Sequence, residues 1–184
     1  MGKIIVSPWV TVDGVIESPH EWQLPFWSED MRKFSNEQLF SVSALLLGRV
    51  TYEGFAGAWP SRGDEDEFSA TMNKLPKYVV STTLENPEWN NSAVIGGDAV
   101  SGIAELKEKV DGDILVYGSG TLANTLLSHG LGDEYRVWVH PTVVGKGKRL
   151  FEGEVSQSVL SLTGTTTFES GVTVLTYVPA APTE

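Results

Sequence analysis

The chain has no cysteine. Disulfides, thiolate nucleophiles and cysteine-ligated metal centres are therefore excluded. Cations are also in short supply: 13 Lys and Arg face 24 Asp and Glu, for a formal net charge of −11. A nucleic acid or an anionic membrane surface needs a basic face, so neither is expected as a partner. An anionic small molecule would need a local positive site. Histidine is scarce, at three residues, and no grouping of His, Asp and Glu has metal-ligand spacing, so no metal is expected. Long hydrophobic runs are missing as well. No segment approaches the roughly 20 apolar residues of a membrane span. The opening "MGKIIVSPWV" lacks the length and the small-residue cleavage pattern of a secretory signal. A soluble, cytoplasmic protein fits these absences.

What is present is enough for one sizeable core. The 184 residues are 41% hydrophobic and 20% charged, with no long block of like charge, so a single globular domain is expected. "KIIVSPWVTV" reads as a first strand, rich in β-branched residues, and a loop through Gly14, Pro19 and Pro25 follows. A helix is expected from Glu29 to Val42, with Ser28 as its N-cap. "SALLLGR" reads as a buried strand ending at Gly48, and Thr51 to Phe55 open a second helix. "RGDEDE" leads into a helix over Glu67 to Lys74. "KYVVSTTL" and "SAVIGG" are strands. Val100, Ile103, Leu106 and Val110 have helical spacing. "DILVYG" is an apolar strand, and "TLANTLLSHG" is a helix stopped by Gly130. This alternation implies a largely parallel sheet covered on both faces. The last third differs: "EYRVWVHPTVV", "SVLSLTGTTTF" and "GVTVLTYV" are strands joined by turns, with Ser170-Gly171 turning a terminal hairpin. There Val172, Val174, Thr176 and Val178 share one face, and Leu175 and Tyr177 the other. The domain is expected to span 1–178, with 179–184 as a flexible tail.

Three strand ends could hold phosphate. Gly118-Ser119-Gly120-Thr121-Leu122-Ala123 fits G-x-G-x-x-A between a strand and a helix, where free N–H groups can meet a pyrophosphate. Alone, the pattern fits an ordinary tight turn equally well. The Rossmann arrangement fails, because the next strand ends at His140-Pro141 with no acid to hold a ribose. A Walker loop is absent too, since "GKGKR" lacks the hydroxyl residue after Gly-Lys. At the second end, Gly48 closes a strand, Arg49 brings a cation and Thr51 can cap the next helix. At the third, Ser81 and Thr82 offer hydroxyls. Ligands of open α/β sheets gather at the carboxyl ends of the strands, so the three together point further than any one.

In order, "EWQLPFW", "LLLGRVTYEGF", "VVST" and "VYGSGTLANTLL" resemble the dihydrofolate reductase fold. "YRVWVHPTVVGKGKRLFE" more specifically resembles the C-terminal reductase domain of bacterial bifunctional riboflavin-biosynthesis deaminase-reductases and their stand-alone relatives. The resemblance spans nearly the whole chain. It implies a single three-layer α/β domain whose mixed, mainly parallel sheet ends in an antiparallel hairpin. It also implies NADPH as hydride donor. Gly48, Arg49, Thr51, Ser81 and Thr82 would then hold the 2′-phosphate side, Gly118 to Leu122 the pyrophosphate, and Asp13, Gly14, Val15 and Ile16 would cover the nicotinamide. The resemblance also implies a homodimer, and Trp138, Leu160 and Leu162 read as exposed apolar residues that a partner could cover.

Trp9, Trp22, Phe26, Trp27 and Phe55 fall in segments that would line the substrate side. They could pack as core, or stack on a planar heterocycle. His20 lies in the rim loop, and "GKGKR" could draw in a phosphorylated substrate. No proton donor stands out. The expected activity is NADPH-dependent reduction of a small heterocyclic or sugar-bearing molecule. A nucleotide-binding protein without catalysis and a flavin-dependent reductase remain the other readings. Dihydrofolate itself is not expected as a substrate: Trp27 falls where the resemblance calls for a carboxylate, two residues beyond Trp22-Gln23-Leu24-Pro25.

Overall fold

The computed structural model of the chain describes residues 2–63, 65–153 and 157–180. Nine strands form one sheet: β1 (Ile4–Ser7), β2 (Trp9–Thr11), β3 (Ala44–Gly48), β4 (Lys77–Val80), β5 (Ser92–Ile95), β6 (Ile114–Tyr117), β7 (Glu134–His140), β8 (Leu160–Thr167) and β9 (Thr173–Pro179). Their order across the sheet is β5-β4-β3-β6-β1-β7-β9-β8, and β2 also pairs with β7. Every pairing from β5 to β7 is parallel, and β7–β9 and β8–β9 are antiparallel.

The helices are α1 (Pro19–Trp22), α2 (Glu29–Phe40), α3 (Arg49–Ala58), α4 (Glu67–Lys74), α5 (Ala99–Lys109) and α6 (Gly120–Ser128). Strands β1, β3 and β6 are apolar at almost every position because both of their faces are covered. On one face Ile4, Val6, Leu46 and Val116 pack on Ile103 and Leu106 of α5 and on Leu122 and Leu126 of α6. On the other, Ile5, Leu45, Leu47 and Leu115 pack on Leu39 of α2, Tyr52 of α3 and Met72 of α4. This is the expected three-layer α/β domain with a mainly parallel sheet and a C-terminal antiparallel hairpin.

Several local expectations change. The first strand is two strands, because Pro8 has no N–H for the ladder; its carbonyl still accepts from Trp138 N at 3.0 Å. Ser28 precedes α2, but its side chain makes no capping bond and donates instead to the Asp30 carboxylate. Helix α3 begins at Arg49, so Thr51 lies inside it and caps nothing. Strand β4 stops at Val80, which puts Ser81 and Thr82 just beyond it.

The terminal hairpin turns through Gly171, at φ +85°, where Gly171 N donates to the Phe168 carbonyl at 2.9 Å. Its faces divide as expected: Val172 and Val174 join one core cluster and Tyr177 packs on another. Strand β9 runs through Pro179 and Ala180 N donates to Val159 O at 2.9 Å. The paired region therefore extends past 178, while 181–184 lie outside the described residues. Trp138 is not exposed: at 1% exposure it is one of the largest side chains of the core, leaving Leu162, at 55%, as the open one of the three named apolar residues. Among the described residues, no helix is long and apolar enough to cross a membrane.

Candidate active site

Strands β4, β3, β6 and β1 are consecutive and parallel. Their carboxyl ends, Val80, Gly48, Tyr117 and Ser7, therefore form one row, and helices α3 and α6 both begin from it. The row brings two separate glycine turns into contact. A β-carbon built on Gly48 would lie 2.2 Å from Ser119 Oγ, and one built on Gly118 would lie 3.2 Å from Thr51 Oγ1. Gly48 is needed because Ser119 fills the space a side chain would take. Gly118 and Ser119 are both left-handed, at φ 57° and 52°. That conformation costs a non-glycine residue on the order of 1 kcal/mol, and residues held so against their preference cluster at functional sites. The first helical bond of α6 is Ala123 N to Ser119 O, at 2.9 Å. The N–H groups of Gly120, Thr121 and Leu122 thus belong to the open first turn, which suits an anion.

The cation of the second turn is already engaged. Arg49 Nη1 donates to both Glu53 carboxylate oxygens, at 2.9 and 3.0 Å, in an exposed pair one helical turn long. Ser81 Oγ accepts from Thr83 N at 3.1 Å and Leu84 N at 2.9 Å, so it shapes its own turn. Thr82 is exposed.

Asp13 to Ile16 lie beside this row, where Ile16 meets Gly120, and the Asp13 carboxylate has a structural task. It accepts from Thr11 Oγ1 at 2.6 Å and from Gly145 N at 2.8 Å. These bonds, the hydroxyl first, hold its carboxyl below the usual range. Gly14, at φ +81°, turns the chain so that its carbonyl accepts from Leu150 N and Ile16 N donates to Lys148 O, both near 3 Å. Val15 bridges Arg149, and Arg149 Nε donates to the Asp13 carbonyl at 3.1 Å. Thus the end of "GKGKR" is hydrogen-bonded to the Asp13–Ile16 segment, while the rest is a solvent-facing turn. The Ile16 side chain reaches over Gly120, whose absent β-carbon would sit 2.9 Å from Ile16 Cδ1. Val15 and Leu122 are core residues at 1% and 4% exposure, so only their backbones can serve a ligand.

The aromatic candidates split into two groups. Trp9 packs on Trp27 and Trp138, each 6.0 Å away between ring centres. His140 is surrounded by Trp9, Trp22 and Phe26 at 5.5, 5.0 and 6.0 Å. Phe55 stands apart on α3, edge-on to Trp59 and Tyr117. Trp27, 45% exposed, is the open face of the first group. His140 is fully buried, and burial lowers its pKa. Its Nδ1 lies 3.1 Å from the Trp138 carbonyl. A carbonyl only accepts, so this nitrogen carries the proton of the neutral ring. His20 is exposed beside Glu21.

Sequence reasoning passed over Ser7, Gln38 and Tyr117 and read Trp138 only as an exposed apolar residue; the four meet on the α2 side of the same row. Trp138 Nε1 donates to Ser7 Oγ at 2.9 Å, and Ser7 Oγ donates to Gln38 Oε1 at 3.1 Å. The available signals were a serine closing an apolar strand and a tyrosine immediately before the glycine turn. No group of three or more His, Asp and Glu that could hold a metal occurs among the described residues.

A parallel sheet ending in an antiparallel hairpin, with glycine turns converging at its carboxyl edge, defines a dihydrofolate reductase-like domain. A putative riboflavin biosynthesis protein from Shewanella sp. PV-4 superposes with a TM-score of 0.79 at 20% identity, covering 97% of this chain and 99% of that one. Dihydrofolate reductase from Enterococcus faecalis, solved with NADP(H), superposes with a TM-score of 0.67 at 19% identity, covering 98% of each chain. Residues 2–174 match the RibD C-terminal domain, and the chain belongs to that family of riboflavin-type reductase domains. The uncharacterised protein YyaP of Bacillus subtilis is 30% identical over 181 residues, spanning 95% of this chain and 94% of its own length.

Proposed function

We propose that this protein is an NADPH-dependent reductase of a small planar molecule, heterocyclic or sugar-bearing. The observation that carries the reading is the contact of Gly48 with Ser119, which joins two phosphate-friendly turns at one edge of the sheet. The residues present fit the cofactor: the Gly118 turn seated against Gly48, the open first turn of α6, Arg49 at the start of α3, and the Ser81 and Thr82 hydroxyls nearby. NADPH supplies the hydride when bound. Arg49 and the hydroxyls would take the 2′-phosphate, the Gly118 to Leu122 backbone the pyrophosphate, and the segment from Asp13 to Ile16 would shield the nicotinamide from water. Trp9 and Trp27 offer faces on which a planar acceptor could stack. The NADP(H) complex of the Enterococcus faecalis enzyme supports the cofactor assignment.

We also propose a homodimer built through β8. It is the edge strand of the sheet, and Val159 and Leu162 beside or within it are 67% and 55% exposed.

The deciding experiment is an absorption spectrum of the purified protein followed by titration with NADPH, NADH and flavin mononucleotide. Saturable NADPH binding to a colourless protein is expected. A yellow protein that ignores NADPH would overturn the reading.

A further inference from the structure

We infer that Tyr117 and Gln38 form a subsite for a hydrogen-bond-accepting oxygen, carbonyl or carboxylate, on a planar ligand. The inference rests on the reductase reading for the ligand's place beside the cofactor edge. Its own basis is a hydrogen-bond chain whose direction is fixed. An indole N–H can only donate, so Trp138 Nε1, 2.9 Å from Ser7 Oγ, makes that oxygen an acceptor. The Ser7 proton then goes to Gln38 Oε1 at 3.1 Å. A guanidinium also only donates, and Arg136 Nη1 reaches the same oxygen at 3.3 Å. The Gln38 amide therefore cannot be reversed, and its nitrogen must donate away from Ser7.

Beside the Gln38 side chain lies the Tyr117 hydroxyl, close enough for the two to interact. The amide nitrogen and this hydroxyl are both buried and neither closes a well-formed hydrogen bond among the described residues. Gln38 is itself 2% exposed. Even if the amide donated to the phenol oxygen, the phenol proton and one amide proton would still have no acceptor. A buried donor left unmade is costly, and native structures rarely keep one without a reason. Burial raises the Tyr117 pKa and the Gln38 side chain beside it lowers it, burial being the larger effect, so the phenol keeps its proton at neutral pH.

Position supplies the rest. Tyr117 pairs in register with Ser7 at the carboxyl edge, one residue before the Gly118 turn. The residue as a whole is half-buried, and its ring meets Phe55 of α3 edge-on at 5.8 Å. An oxygen-bearing planar ring entering between α2 and α3 would supply the missing acceptor. A donor-only or purely apolar ring would not.

The test compares wild type with Tyr117→Phe, which keeps the ring and removes the hydroxyl. Benzaldehyde, benzoate and toluene are titrated against tryptophan fluorescence, with and without saturating NADP+. Wild type is expected to bind the two oxygen-bearing rings about tenfold more tightly than toluene, in line with one hydrogen bond to a buried donor. Tyr117→Phe should lose that preference and melt at or above the wild-type temperature. The inference is overturned if wild type shows no preference, if the preference survives in Tyr117→Phe, or if that variant melts well below wild type, since its hydroxyl then already had a partner. A preference seen without any NADPH binding would sink the reductase reading and leave this subsite standing. NADPH binding without the preference would do the reverse.

Discussion

Ser119 Oγ occupies the position that a side chain on Gly48 would need, 2.2 Å from the β-carbon that glycine lacks. Gly48→Ala must therefore push Ser119 away, and Ser119 already sits in the left-handed region at φ 52°. The substitution should cost about 1–3 kcal/mol, the usual penalty of overpacking, and should weaken NADPH binding. Adding Ser119→Gly removes both the obstructing hydroxyl and the backbone penalty, so the double variant should regain most of the lost stability. Thermal unfolding of the two single variants and the double variant gives the coupling; purely additive effects would show that the turns do not depend on one another.

Arg49 must leave Glu53 to meet a phosphate. Arg49→Ala should weaken NADPH by about 1.5–3 kcal/mol, the scale of a charged hydrogen bond, and leave NADH nearly unchanged. Glu53→Gln should act oppositely, tightening NADPH a few-fold by releasing the guanidinium and removing a nearby negative charge. Fluorescence titration with both cofactors measures the ratio. Equal affinity of wild type for NADPH and NADH would contradict the assignment.

Dihydrofolate should be a poor substrate or none. At Trp27 an indole, with one donor and no titratable acid, replaces the expected carboxylate. The nearby carboxylates are committed: Glu29 to Arg32, and Asp30 to Ser28 and to Glu169 N of the terminal hairpin. NADPH consumption with dihydrofolate as acceptor is the assay, and turnover near the ~10 s⁻¹ typical of enzymes would refute the expectation. Trp27→Asp should not restore full activity, because Trp9 and the rings beyond it still shape the pocket.

Lys77 is buried at the amino end of β4. Its Nζ donates to the Asn73 and Asn90 carbonyls at 2.6 and 2.9 Å and lies 4.2 Å from the Trp89 ring centre. Burial brings its pKa down to about 8, against ~10.4 in an unfolded chain. Between those values the unfolded state holds more protons, so this group makes stability rise with pH. Tyr117 and Tyr135, whose pKa values burial raises, oppose it only where an unfolded tyrosine ionises, near ~10. From about pH 8 to about 9.5, urea unfolding should show wild type gaining on the order of 1 kcal/mol relative to Lys77→Met. The full desolvation effect is reduced because the two carbonyls and the Trp89 face favour the ammonium. An identical pH slope in both proteins would remove Lys77 from the account.

Light scattering at micromolar concentration should give twice the mass of one chain. Leu162→Lys, at an exposed position of the edge strand, should halve it without lowering the thermal midpoint of the monomer. A wild-type particle of single-chain mass would refute the dimer.

Local signals carried much of the fold. Helix α4 runs from Glu67 to Lys74 as the sequence indicates, because Asp66 caps it and accepts from Ser69 N at 2.9 Å. Gly130 ends α6 and Gly171 turns the last hairpin because each needs a positive φ, at 62° and 85°. Where the outcome depended on a distant partner, the sequence was silent. Trp138 looked like an exposed apolar residue, yet it is buried because Met31, Phe168 and Val174 close over it. Arg49 looked like a free cation, yet Glu53 holds it one turn along α3.

By itself the sequence determined the alternation of strands and helices, the three glycine or hydroxyl strand ends, and the net negative charge. These follow from backbone preference, periodicity and charge, which each residue carries with its near neighbours. Only the tertiary structure decided that Gly48 and Ser119, 71 positions apart in the sequence, share one point in space. It alone directed the chain from Trp138 through Ser7 to Gln38 and left Tyr117 without an acceptor. Such relationships depend on strand order, since β3 and β6 become neighbours only when the sheet assembles, and no local propensity encodes that adjacency.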